Sequence, residues 1–231
     1  MPKSVDLRLA REETSLRLLL VNRLRDLILD GDLHPGQKLV ERDLTELFGV
    51  SRSLLREALQ QLQAEGLIVN VLHRGPSVAV ITEHEAREIY AVRALLESRA
   101  GRDFVENAAD AHVEALSAAV AALRDPDVQG DAHRQLVAKN EFYAALLEGG
   151  GNATIAQLLK QLNNRVTMLR RVSLSQPGRL SETTKELEEI VEAARARDGD
   201  LIASLLSAHV DRAAALALAH YDLAPGGAAE S

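Results

Sequence analysis

The chain of 231 residues has no cysteine and no tryptophan, and only two Met, three Tyr and three Phe. Without cysteine there can be no disulfide, Cys-ligated zinc, iron–sulfur cluster or thiol nucleophile. Aromatics make up 3%, and there are only 14 Gly and 6 Pro, a poverty of strand and turn formers that favours helix. No run of 18 uninterrupted apolar residues occurs. The opening MPKSVDLRLAREETSLRLLL is broken by Arg and Glu, so neither a membrane span nor a signal-peptide core is expected, and the location expected is cytoplasmic. What is present is ordinary for a folded globular chain: 46% hydrophobic and 26% charged residues, with a net charge of −7.

That charge is unevenly spread. Residues 1–81 carry eleven Lys and Arg against eleven Asp and Glu, while the remaining 150 carry sixteen against twenty-three. A neutral segment followed by an acidic one is compatible with nucleic-acid binding if the first gathers its cations on one face.

Residues 1–10 read as a loose arm. Leu16, Leu19, Leu20, Leu24, Leu27 and Ile28 then recur at helical spacing up to Gly31. A turn cluster follows at 31–36, then a short helix at about 40–48 that stops at Gly49. Ser51 is an N-cap candidate for a helix running to Glu65, periodic in Leu54, Leu55, Ala58, Leu59 and Leu62 and ended by Gly66. Two β-branched runs, 67–71 and 78–81, flank a Gly-Pro turn at 73–77 and predict a hairpin. From Thr82 on, about six helices are predicted, with breaks near Asp125-Pro126, Gly149–Gly151, Pro177-Gly178 and Asp198–Asp200, and a frayed tail from Ala224. The expected fold is mainly α: a winged helix-turn-helix over 1–81 and an antiparallel helical bundle over 82–231.

Helix, tight turn, helix and hairpin is an arrangement in which the second helix enters the DNA major groove. Its first turn here is Ser51-Arg52-Ser53, with Arg56 one turn on, so two guanidiniums share a face. Arginine is suited to the guanine edge, and hydroxyls suit phosphate. Arg42 on the preceding helix and His73-Arg74-Gly75 at the hairpin tip are candidates for flanking contacts. The competing reading makes Arg52 and Arg56 solvated cations paired with Glu57 or Glu41. The segments Asp30–Leu39, Glu41-Arg42-Asp43-Leu44, Phe48-Gly49-Val50-Ser51-Arg52, Arg56-Glu57-Ala58-Leu59 and Glu65-Gly66-Leu67-Ile68 together resemble the N-terminal domain of GntR-family bacterial transcriptional regulators. The family often has Thr-Pro-Val where this chain has Ser53-Leu54-Leu55. The resemblance implies that Arg42, Arg52 and Arg56 contact operator DNA and that Gly75 lies at the wing tip.

The remainder resembles the FCD effector domain of the FadR-like branch, through Tyr90–Glu97, Glu141–Leu146 with Gly151-Asn152, and the last helix with His209. Many members hold a divalent metal with an Asp and a His four residues apart and two late histidines. At those places stand Lys139, Tyr143, Leu187 and His209, a set that does not build a four-ligand site. A register shift by one would bring Glu186 or Glu188 into play. No metal and no cofactor is therefore expected. Instead Lys139 would supply the positive charge, with Tyr143, Arg93 and His209 around a small carboxylate or phosphate-bearing metabolite. The plainer reading leaves Lys139 in solvent, Tyr143 in the core, and Arg93 paired with Glu97. His84-Glu85 lacks the second histidine of a zinc-protease helix, and no phosphate loop or nucleophile elbow is present, so no enzyme is expected.

The function expected is a homodimeric, sequence-specific regulator, in the sense of a repressor, binding a palindromic double-stranded DNA operator under control of that metabolite. The alternative is a ligand-independent regulator with a degenerate cavity.

Overall fold

The computed structural model describes residues 11–174 and 178–219; the arm at 1–10, Pro177 and the tail from 224 lie outside the described residues. The chain is mainly helical and divides into two compact units, Met1–Val80 and Ile81–Ser231.

The first unit contains α1 (Arg11–Leu29), α2 (Glu41–Phe48), α3 (Arg52–Ala64) and the strands β1 (Ile68–Val71) and β2 (Gly75–Val78). Its core is apolar: Val21 and Leu24 of α1 meet Leu55, Ala58 and Leu62 of α3, all inaccessible to solvent. Each such leucine contributes about 1.5–3 kcal/mol on burial. Arg25 clamps the end of α3 with a two-pronged pair to Glu65, 2.9 Å to Oε2 and 2.7 Å to Oε1. Gly49 ends α2 in the left-handed conformation (φ 63°), which spares a Cβ clash and lets α3 start three residues later.

The hairpin differs from the expected one. The register pairs Ile68 with Val78 and Val71 with Gly75, so the loop is only 72–74, and Gly75, Pro76 and Ser77 belong to the second strand. The turn closes because His73 takes a left-handed φ of 63° and Arg74 N–H donates to the Val71 carbonyl at 3.0 Å. Pro76 is tolerated because a third segment needs only its carbonyl: Leu39 N–H donates to it at 2.8 Å, and Lys38 bridges Ser77.

The second unit is a bundle of α4 (Glu83–Asn107), α5 (Asp110–Ala122), the single turn α6 (Pro126–Gln129), α7 (Ala132–Gly150), α8 (Ala153–Leu174), α9 (Arg179–Arg195) and α10 (Gly199–Ala219). The break between α4 and α5 at Ala108 and Ala109, both extended, was not predicted, since alanine is the best helix former. Gly149 and Gly150 do not break the chain but lie inside α7; only Gly151, left-handed at φ 67°, caps it. The reason is proximity: a Cβ on Gly149 would stand 2.4 Å from a ring carbon of Phe104 in α4. α10 is long and apolar enough to cross a membrane by length and hydropathy alone, yet it buries Ile202, Leu206, His209, Val210, Ala213 and Ala217 within the bundle.

Candidate DNA-binding face and effector cavity

The geometry of α3 follows from its cap. Ser51 is extended (φ −70°, ψ 154°), and its Oγ accepts from Leu54 N–H at 3.3 Å. The buried stripe Leu55, Ala58, Leu59 and Leu62 then turns Arg52, Ser53 and Arg56 outward, all exposed. Ser53 Oγ lies 3.1 Å from Ser51 Oγ. Arg42, at the start of α2, is exposed and touches Asp43 at 3.2 Å. Arg56 pairs with Glu41 through two contacts of 3.0 and 3.1 Å, as the plainer reading had it, but both side chains remain solvent-accessible. At the hairpin tip His73 and Arg74 are exposed, and Arg74 reaches the Gly36 carbonyl at 3.4 Å. Leu72 between the strands is 82% exposed. Exposed pairs of this kind are weak enough to exchange for phosphate.

The second unit holds an unusual concentration of buried charge. Arg93 in α4 is 1% exposed, and its Nε donates to Glu97 Oε1 at 2.8 Å, one turn along the same helix. Its Nη2 lies 3.3 Å from the Tyr143 hydroxyl, and the guanidinium sits over the rings of Tyr90 and Tyr143, 5.4 and 5.9 Å from their centroids. Burial works against this cation, but the Glu97 carboxylate and the two tyrosines hold its pKa above the ordinary arginine value. Lys139, in α7, is 3% exposed. It does not point to solvent, so the plainer reading fails for it.

A second cluster stands on α9 and α10. Arg179 meets Glu186 with both ends of its guanidinium, at 2.7 and 2.9 Å; Arg212 adds a contact of 2.7 Å and His209 Nδ1 one of 2.5 Å. Because an ionised carboxylate only accepts, His209 carries its proton on Nδ1. Burial favours the neutral carboxyl, but the hydrogen bonds from His209 and Arg179 outweigh it and lower Glu186 to about 2. Burial, with Lys139 adding to it, lowers His209 to about 4 despite the bond to Glu186. The imidazole is therefore neutral at pH 7.

A cavity of about 330 Å³ opens between α4, α7 and α8. Arg93, Glu97, Asn140, Tyr143 and Lys160 form its polar lining, and Leu147, Leu159 and Val166 its apolar one. Of the four residues expected at the effector, the cavity is lined by Arg93 and Tyr143; Lys139 and His209 are buried, and the Lys139 charge reaches the His209 imidazole. Glu97, Asn140, Lys160, Arg179 and Glu186 were not among the expected site residues. Glu97 was legible only as the i+4 partner of Arg93, and Glu186 only as the shifted register. Leu187 is fully buried in the apolar core, and Glu186 is the residue facing His209. The divalent metal implied by the family resemblance does not fit these side chains. Glu186 already satisfies two guanidiniums and an imidazole, Lys139 is a cation, and no group of three or more His, Cys, Asp or Glu comes together among the described residues.

Comparison with known proteins settles the family. Residues 17–78 match the family model of bacterial regulatory proteins, gntR family, and residues 88–212, more than half the chain, match that of the FCD domain. The chain belongs to the GntR family and carries an FCD domain. It is 25% identical over 197 residues to an uncharacterized HTH-type transcriptional regulator, YdhC of Bacillus subtilis, across 85% of this chain and 88% of that one. It is 27% identical over 214 residues to the gluconate operon transcriptional repressor of Bacillus licheniformis, across 88% and 84% respectively. Its fold matches the crystal structure of a GntR transcriptional regulator from Rhodococcus sp. RHA1 with a TM-score of 0.78 and 25% identity, covering 90% of this chain and 99% of that one. This GntR-family chain is thus a transcriptional regulator, and its relatives are regulators and not enzymes.

Proposed function

We propose that this regulator is a homodimeric repressor that binds a palindromic operator and changes its operator affinity when a small anionic metabolite enters the FCD cavity, without a metal. The observation that carries the effector part is the buried Arg93 guanidinium on the cavity wall, with a second buried cation, Lys139, on α7, a helix that also walls the cavity. Buried cations of this kind are a recurrent means of holding carboxylate or phosphate. On the DNA side, Arg52 at the free start of α3 reads base edges, while Ser51, Ser53, Arg42, Arg56, His73, Arg74 and the Gly75 backbone meet phosphate or minor groove. A two-fold dimer places two such helices on successive half-sites, which gives the reach that one helix lacks. The named role of the Bacillus licheniformis relative as a repressor supports repression here.

The test is a melting-temperature scan against carboxylates and phosphates with and without a chelator, followed by an operator anisotropy titration with any stabilising compound. A chelator-insensitive rise, together with an altered operator Kd, is the expected result. A drop on chelation would refute the metal-free site, and stabilisation without any change in operator Kd would refute effector control.

A further inference from the structure

Two arginine–glutamate pairs in the DNA-binding unit share a chemistry and differ in geometry. Arg25 meets Glu65 side-on, with Nε on one carboxylate oxygen at 2.9 Å and Nη2 on the other at 2.7 Å, the two-pronged form. Arg56 meets Glu41 through one nitrogen alone. Its Nε contacts both carboxylate oxygens, at 3.1 and 3.0 Å, and no hydrogen bond among the described residues involves Nη1 or Nη2. The first pair is mostly shielded from water, at 23% and 24% exposure, whereas the Arg56 side chain is 66% exposed and that of Glu41 30%.

This geometry divides the Arg56 guanidinium between two tasks. Nε is held, while the two terminal nitrogens are left for a pair of acceptors on DNA, either guanine O6 and N7 or two phosphate oxygens. The pair is weak enough to exchange, but Arg56 can meet DNA without giving up Glu41. An arginine that has to be ordered on its ligand loses rotamer freedom on binding, and one already held in place loses less. Glu41 is the first residue of α2, and Arg56 stands on α3 one turn beyond Arg52. By charge alone a carboxylate at this face is unfavourable, since it repels the phosphates of DNA.

We propose that Glu41 is a positioning residue for DNA recognition. It grips Arg56 through Nε and presents Nη1 and Nη2 as a two-pronged donor to one pair of acceptors on the operator. This rests on the operator reading given above and deepens it.

The test uses the full chain and a duplex that it selects from a randomised pool, with a scrambled duplex of the same length as reference. Glu41→Ala and Glu41→Gln remove the same negative charge, but only glutamine keeps an acceptor for Nε. Both are titrated by anisotropy, with Arg56 present and in an Arg56→Ala background. With Arg56 present, Glu41→Gln should bind the selected duplex about twofold to tenfold more tightly per protomer than Glu41→Ala. In the Arg56→Ala background the two should bind alike. A difference confined to the selected duplex assigns the acceptors to a base. A difference seen on both duplexes, with a salt slope lowered by about one in Arg56→Ala, assigns them to phosphate.

Equal binding of the two Glu41 variants, or tighter binding by alanine, means that Glu41 only competes with DNA and overturns the proposal, leaving the operator reading intact. A difference that survives in the Arg56→Ala background overturns it too, because Glu41 then acts through another group. A pool that yields no preferred duplex overturns the operator reading and the proposal together. Melting curves check that each variant is folded. Should Glu41→Ala unfold, Glu41→Gln decides: its gain in affinity from the lost charge must be smaller with Arg56 present than in the Arg56→Ala background, and an equal or larger gain overturns the proposal.

Discussion

Acid should loosen the regulatory unit through one histidine. His209 is fully buried, with its Nδ1–H on Glu186 and with Lys139 near enough to oppose a second positive charge. The Glu186 carboxylate is already compensated by Arg179 and Arg212, so it does little to stabilise an imidazolium. With an ordinary value of 6.5 in the unfolded chain and about 4 in the folded one, the unfolded state binds the proton first. The stability contribution is therefore complete above pH 6.5 and is lost as pH falls towards 4. Between pH 7 and pH 5 linkage gives a loss of about 2 kcal/mol, or about 4–8 °C in Tm for a unit of this size. Urea unfolding at the two pH values measures it, with His209→Asn as the control. The asparagine amide keeps a donor for Glu186 but does not titrate, so the wild type should lose about 2 kcal/mol more than the variant over this interval. Equal losses in the two proteins would refute the assignment of acid sensitivity to His209. Glu186, lowered from 4.5 to about 2, acts in the same direction further down, and its contribution is lost only below about pH 4.5.

Four other outcomes follow from the same geometry. Arg52→Ala should weaken operator binding by about 1–3 kcal/mol and relax base preference while leaving the melting curve unchanged; an unaltered anisotropy titration would remove Arg52 from the reading face. Lys139→Met should weaken effector binding about tenfold to a hundredfold with operator affinity of the free protein intact, read by titration of both ligands. Glu186→Leu strands the 2%-exposed Arg179 without its carboxylate and should cost about 3–5 kcal/mol in denaturant unfolding. Gly149→Ala gains helix propensity but drives a methyl into Phe104, for a net loss of about 1–3 kcal/mol by the same assay.

The DNA-binding unit was largely legible because its signals are local. Ser51 caps α3, Gly49 turns the chain, and the leucine period places Arg52 and Arg56 outside, all within sixteen residues of sequence. The hairpin was misplaced by three residues because Pro76 is a turn signal in isolation; only the partner segment at Lys38–Leu39, nearly forty residues away, makes it a strand residue. In the bundle, periodicity foretold helices but not registers. Leu187 and Glu186 are neighbours in sequence, and which one faces His209 depends on the rotation of α9, a tertiary property. Arg179 carried no signal at all, since its carboxylate partner lies seven residues away and joins groups from another helix. Glycines 149 and 150 misled for the opposite reason: they mark where two helices touch, a fact about α4 that nothing in α7 announces.

That contact also constrains the two helices that wall the cavity. At the Gly149–Phe104 end, α4 and α7 have no space left between them, whereas Arg93 lies eleven residues back along α4, roughly 16 Å away at the helical rise. Two rods pinned at one end cannot separate evenly. The cavity beside Arg93 and Tyr143 lies away from that pin, where no glycine contact holds the two helices together. The N-terminal end of α4 is where the bundle begins, at Thr82, two residues after the DNA-binding unit ends. The glycine pair thus fixes the spacing of α4 and α7 at one end of the bundle and leaves it unfixed at the other.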